Sequence, residues 1–219
     1  MTHPNMPAAV IFDMDGTLLD TERVSQTAWR RAAADFDITI PEETLHAFIG
    51  CSLPNARVMI NELFGDEDLT DRLFAHEAEV FFQIRDAELV TKPGALACVR
   101  ALADAGIPVA LATSTAREHA LPSLDRFGFR EHFRATVFGN EVARSKPEPD
   151  IYLEAARRLE LDPRTCVAVE DSFNGVRAGA AAGMRVIMVP DFDQPTPEIR
   201  TLCHLVLPSL HELTPQSFQ

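Results

Sequence analysis

The sequence predicts an α/β fold: a parallel β-sheet sandwiched by helices, with an α-helical cap domain inserted into it. Three observations predict it. Apolar runs of strand length alternate with helical patterns through the last two-thirds of the chain, the order that builds parallel strands joined by crossover helices. A run of the same character, AVIF at 9 to 12, stands near the amino terminus. Between them, residues 21 to 90 show no strand pattern, only apolar residues at helical spacing. The expected division is an α/β core of residues 1 to 20 and 91 to 219, with a helical cap of residues 21 to 90.

Taken in order, AVIF reads as a buried strand, because a strand covered on both faces is continuously apolar. The insertion opens on Val24, Ala28, Trp29, Ala32 and Phe36, spaced for one face of a helix. GALACVRALADAG, at 94 to 106, reads as a helix closed by Gly106. VALAT at 109 to 113 is the next strand, and the helical pattern of REHALPSLDRF after it is interrupted by Pro122, predicting a kink or a late start. ATVF at 135 to 138 is a strand, and PDIYLEAARRLEL opens a helix on Pro149 and Asp150. CVAVED at 166 to 171, RVIMVP at 185 to 190 and HLVL at 204 to 207 complete the strands, and LTPQSFQ reads as a loose tail.

Of 219 residues, 46% are hydrophobic, enough for a sizeable core. The net charge of -13 repels the phosphate backbone of nucleic acid and anionic membrane faces alike, so neither partner is expected. The insertion carries 14 acidic against 6 basic residues, read as a solvated face. The first apolar run is too short for a signal peptide or a spanning helix, and a cytoplasmic protein is expected. Cys51, Cys98, Cys166 and Cys203 lack the spacing of a zinc site or a disulfide framework and are read as buried, reduced thiols.

Four short segments carry chemistry: FDMDGTLLD at 12 to 20, LATS at 111 to 114, SKPEPD at 145 to 150 and VEDS at 169 to 172. Asp13 and Asp15 stand two apart at the end of a strand, where the pleat points both carboxylates the same way. Gly16 follows, letting the backbone turn and offer its amide to an anion. A turn signal would look similar; a calcium-binding EF-hand counted from Asp13 would need Gly and Glu where Leu18 and Val24 stand. Glu170 and Asp171 likewise end a strand, where carboxylates also serve as helix caps. If the two pairs converge, charges about 4 Å apart repel by roughly 4 kcal/mol at an effective dielectric of about 20. Such a cluster requires a cation, and hard oxygen donors with no His or Cys pattern favour Mg2+. Lys146 is one of only two lysines beside 18 arginines, and a compact ammonium suits a transferring phosphoryl group. Thr113 and Ser114 offer a hydroxyl and amides to phosphate oxygens, although such residues also commonly begin helices.

The four segments, in this order and spanning nearly the whole chain, resemble the four motifs of the haloacid dehalogenase superfamily. The insertion just after the first motif resembles members with a small helical cap, the branch of β-phosphoglucomutase, phosphoglycolate phosphatase and pseudouridine-5'-phosphatase-like enzymes. The resemblance implies a Rossmann-like core and a Mg2+-dependent phosphatase acting through an aspartyl phosphate. It makes Asp13 the nucleophile and Asp15 the general acid and base. Asp13, the Asp15 carbonyl and Asp171 would hold the metal, with Glu170 nearby or acting through water. Thr113 and Lys146 would bind phosphoryl oxygens with the amides of Gly16 and Ser114.

Members that displace halide work without the second aspartate, so Asp15 implies phosphoryl transfer. A β-phosphoglucomutase-type isomerase is the alternative, but that enzyme's cap histidine and phosphate-binding arginine fall at Ser25 and near Leu53. A phosphorylatable receiver domain has the wrong motif order, and a non-catalytic binding relative would have lost a catalytic position. Glu22, Arg23, Gln26, Gly50, Cys51, Ser52 and Leu53 are the candidate substrate contacts. The expected partner is a small phosphorylated metabolite, sugar phosphate or nucleoside monophosphate, met by a monomer or homodimer.

Overall fold

The computed structural model describes residues 6 to 49, 51 and 53 to 218. Six strands, β1 (Ala9–Phe12), β2 (Val109–Thr113), β3 (Phe133–Phe138), β4 (Cys166–Glu170), β5 (Arg185–Met188) and β6 (Leu205–Val206), form one sheet in the order β3-β2-β1-β4-β5-β6. Every pairing is parallel. The helices are α1 (Thr21–Asp35), α2 (Glu42–Ala47), α3 (Leu53–Phe64), α4 (Glu67–Glu88), α5 (Ala95–Asp104), α6 (Arg117–Arg126), α7 (Asp150–Arg158), α8 (Phe173–Ala181) and α9 (Pro197–Leu202).

β1, β2 and β4 are buried at every position, which is why their sequences are apolar runs rather than alternations. The pleat still sorts them. Ala9, Ile11, Ala110, Ala112, Cys166 and Ala168 share one core cluster with Tyr152, Ala155 and Ala156 of α7 and Val176 and Ala178 of α8. The chain leaves β1 in one direction to build β2 and β3, then crosses back to build β4 to β6 on the other side. That reversal beside β1 opens a crevice at the carboxyl ends of the central strands.

The chain divides into two compact units, Met1–Leu19 with Thr91–Gln219, and Asp20–Val90. The second is helical. Val24, Ala28 and Ala32 of α1 are buried, and Thr70, Leu73, Glu77, Val80 and Ile84 recur every three or four residues along α4, four of them buried. Trp29 anchors this unit, 5.0 Å from Phe48 and 4.8 Å from Phe74 between ring centroids. The two connections run side by side: Leu19 bridges Thr91 in antiparallel sense, the Lys92 amide donates to Leu18 O at 2.9 Å, and the Asp20 amide donates to Val90 O at 3.0 Å.

Three expectations are corrected. α6 starts at Arg117 and runs through Pro122; the ring's missing N–H forfeits one bond, to the Glu118 carbonyl, while buried Ala120 and Leu124 hold the helix down. The tail is anchored, because its two apolar side chains, Leu213 and Phe218, are buried. Of the cysteines, only Cys98 and Cys166 are buried; Cys51 and Cys203 are half-buried, and none of the four forms a disulfide.

Candidate active site

Asp13 follows β1 directly, its amide held by Val169 O of the neighbouring strand at 3.0 Å. It continues the alternation of Ala9 and Ile11, and Glu170 continues that of Cys166 and Ala168, so the two carboxylates emerge on the same side of the sheet. Lys146 reaches between them: its Nζ donates to Asp13 Oδ1 at 2.5 Å, Glu170 Oε1 at 2.6 Å and Ala112 O at 3.1 Å. All three side chains are nearly out of solvent, at 9%, 0% and 7% exposure for Asp13, Glu170 and Lys146. Within such a site charges are weakly screened.

Burial pushes the Asp13 carboxyl up to about 8, and the charges of Glu170 and Asp15 add to this against the opposing ammonium of Lys146. Burial acts to lower Lys146, but the carboxylates of Asp13 and Glu170 hold it above its ordinary value. One ammonium does not balance the carboxylates around it. Asp13, Glu170 and Asp171 each offer a ligand oxygen, all within 4.8 Å of one another.

The turn after β1 is built from its own backbone, with the amides of Leu18 and Leu19 both donating to Met14 O. Gly16 lies at φ +75°, and a Cβ there would stand 2.2 Å from Asp171 Oδ2; the turn and Asp171 are compatible only through glycine. The expectation that the Gly16 amide faces an anion is corrected, because that amide donates to Leu19 O at 2.8 Å. Among the described residues the amides of Met14 and Asp15 make no hydrogen bond.

Asp15 is held from the β2 side. Thr113 and Thr115 donate to its Oδ2 at 3.2 and 2.7 Å, and the Thr115 amide donates to Thr113 Oγ1 at 3.1 Å. Thr17 donates to Asp171 Oδ1 at 2.8 Å. Ser114 is exposed, and Gly139, whose Cβ would lie 1.9 Å from Ser114 O, lets the chain after β3 press against it.

Asp13, Asp15, Gly16, Thr113, Ser114, Lys146, Glu170 and Asp171 thus stand at one edge of the sheet. Sequence reasoning passed over Thr17, Thr115 and Tyr152, which touch this group through hydroxyls. Thr17 and Thr115 stand within two residues of Asp15 and Thr113, a signal present in the sequence, whereas Tyr152 lies inside the helical pattern PDIYLEAARRLEL with nothing in its spacing to mark it. The candidate substrate contacts belong to the helical unit. Arg23 is engaged with Asp20 and Glu88, Gln26 accepts from Arg30, Glu22 and Cys51 are half-buried, and Leu53 is 70% exposed. Gly50 and Ser52 lie outside the described residues.

A family model for haloacid dehalogenase-like hydrolases matches residues 7 to 183. The chain belongs to this family. It is 34% identical over 183 residues to the phosphorylated carbohydrates phosphatase of Thermotoga maritima, covering 82% of this chain and 83% of that protein. It is 33% identical over 194 residues to the bifunctional riboflavin kinase/FMN phosphatase of Arabidopsis thaliana, covering 87% of this chain but spanning only 50% of that protein's length. Among solved structures, CbbY from Rhodobacter sphaeroides in complex with phosphate has a TM-score of 0.77 at 30% identity, covering 95% of this chain and 96% of that one. β-Phosphoglucomutase from Clostridium difficile shares the fold, with a TM-score of 0.76 at 23% identity, covering 95% of this chain and 94% of that one.

Proposed function

We propose that this hydrolase is a Mg2+-dependent phosphoric monoester hydrolase, acting on a small phosphorylated metabolite through an aspartyl phosphate on Asp13. The observation that carries the reading is the buried Asp13 carboxylate at the end of the central strand, 2.5 Å from Lys146 and flanked by the Asp15 and Asp171 carboxylates. The two relatives named as phosphatases support the same class.

The donor set fits a divalent cation. Three carboxylates converge, one of them pushed up to about 8, and a protonated carboxyl is no nucleophile. Asp13, Asp171 and the Asp15 carbonyl would hold Mg2+, with Glu170 kept nearby by its bond to Lys146. When bound, Mg2+ supplies neutralisation of the phosphate dianion and keeps Asp13 ionised. Asp13 then attacks phosphorus, forming the acyl phosphate as the ester P–O bond breaks. Asp15 gives its proton to the departing oxygen and recovers one from the water that next attacks phosphorus, releasing phosphate and restoring the Asp13 carboxylate. Lys146, the Thr113 hydroxyl once turned away from Asp15, and the amides of Met14, Asp15 and Ser114 would bind the phosphoryl oxygens, while the Thr115 hydroxyl aims Asp15.

The helical unit would act as the cap that selects the leaving group, a sugar or a nucleoside. Hydrolysis is favoured over phosphosugar isomerisation because Ser25 and Leu53 supply neither the imidazole nor the guanidinium of the mutase pattern. The test is phosphate release from a panel of phosphorylated metabolites, with phosphorus NMR on the best substrate. Stoichiometric inorganic phosphate is expected; accumulation of an isomeric ester would overturn the hydrolytic reading, and an inert panel the phosphatase reading itself.

A further inference from the structure

The chain has one tyrosine, Tyr152, fully buried on α7. A buried phenol needs a hydrogen-bond partner. Its hydroxyl donates to Glu170 Oε1 at 2.6 Å, the same oxygen that receives Lys146 Nζ at 2.6 Å. The ring also underlies the ammonium, with Nζ 5.1 Å from its centroid, within range of a cation–π attraction.

The rest of Glu170 is equally confined. Ser172 Oγ donates to Oε2 at 3.3 Å. A Cβ at Gly175 would fall 1.9 Å from the carboxylate carbon, so the backbone of α8 closes over it. Both oxygens are therefore committed within the protein, and Glu170 serves as counter-ion and rest for Lys146. Of the three donors that fix this carboxylate, the phenol belongs to a helix that carries no other part of the site.

We propose that Tyr152 is a positioning residue for phosphoryl transfer, holding Glu170 Oε1 and underlying Lys146 so that the ammonium stays fixed beside Asp13. The inference rests on the phosphatase reading for its catalytic consequence, while the coupling of Tyr152 to Lys146 is independent of any substrate. Phenylalanine fills nearly the same space, which separates the hydroxyl from the packing of α7.

The experiment has two arms. In the first, Tyr152→Phe and Glu170→Gln are compared singly and together with p-nitrophenyl phosphate and Mg2+. Tyr152→Phe should lower kcat about tenfold, as loss of a group orienting a site residue typically does, with KM changed less than threefold. Added to Glu170→Gln, it should cost less than a further twofold, because its partner is already altered. A kcat within twofold of the unaltered protein, or losses that multiply in the double variant, would overturn the proposal.

In the second arm, 3-fluorotyrosine incorporated throughout gives one fluorine resonance, because the chain has one tyrosine. That resonance should move in Glu170→Gln and in Lys146→Met, and an unmoved resonance in both would overturn the coupling. Should the unaltered protein release no phosphate from any substrate, the phosphatase reading fails alone, and the fluorine resonance still decides the role of Tyr152. Should Tyr152→Phe not fold, the same resonance decides it.

Discussion

Glu77 interrupts the buried stripe of α4, between Leu73 and Val80, and has no hydrogen-bond or ion-pair partner among the described residues. Burial alone pushes its carboxyl up from an ordinary 4.5 to about 7. The folded chain therefore binds this proton more tightly than the unfolded chain. Its contribution is fully present below about pH 4.5 and is lost as pH rises through about 7. At roughly 1.4 kcal/mol per pH unit the loss amounts to about 3 kcal/mol, an upper figure because the side chain keeps some contact with water. Glu77→Gln replaces the carboxyl by an uncharged group of the same shape. Relative to the unaltered protein it should gain stability with increasing pH, with most of the gain in place above pH 7. For a chain of this size that is on the order of 5 to 10 °C in Tm. Thermal melts followed by circular dichroism from pH 5.5 to pH 8.5 would measure the gap. A gap that stays constant across that range, or an unaltered protein that is the more stable at pH 8.5, would refute the assignment of an unpaired, desolvated carboxylate.

Asp13→Asn should abolish phosphate release while the circular dichroism spectrum stays native, since the amide keeps the shape but cannot attack phosphorus; full activity would sink the covalent mechanism. Chelation should remove activity, Mg2+ should restore it and Ca2+ should not, because its larger, looser shell disturbs in-line geometry; turnover unaffected by thorough chelation would contradict the metal reading. Lys146→Ala should lower kcat by about 10² to 10³ through loss of a transition-state donor, and a steady-state rate within twofold of the unaltered protein would place the lysine outside the reaction. Asp15→Asn should slow an alkyl phosphate far more than p-nitrophenyl phosphate, whose leaving group needs little protonation. Equal losses on the two esters would deny Asp15 its role as acid.

The parallel sheet was legible because its central strands are buried on both faces and so write themselves as VALAT, AVIF and CVAVE. The helical unit was legible because Val24, Ala28 and Ala32 keep one helical face. Pro122 misled because a proline forfeits a single backbone bond, and the sequence does not reveal how firmly Ala120 and Leu124 are gripped. Leu213 and Phe218 misled because tail composition hides two anchors among polar residues. At the site, the acidic pairs and Lys146 stood out through type and spacing. The hydrogen bonds that arrange them did not: the Gly16 amide turns inward to Leu19, and the partners of Glu170, at Lys146 and Tyr152, are 24 and 18 residues away in the chain. Spacing reports a shared face of one element, whereas these contacts depend on how far apart two elements settle.

The side-by-side connections at Leu19 and Thr91 make the helical unit, topologically, an overgrown hairpin turn. Chain closure costs grow only with the logarithm of loop length, so carrying about seventy residues there instead of about four costs roughly 2.5 kcal/mol before the inserted unit contributes any stability of its own. A replacement segment that presents its two ends at the same separation could enter at this point without disturbing the register of the sheet. Asp13 sits six residues upstream of Leu19, directly after a strand whose backbone turn closes before the insertion begins. Under the proposed function, the residues that would break the ester and the surface that would recognise what is attached to it can therefore change at independent rates.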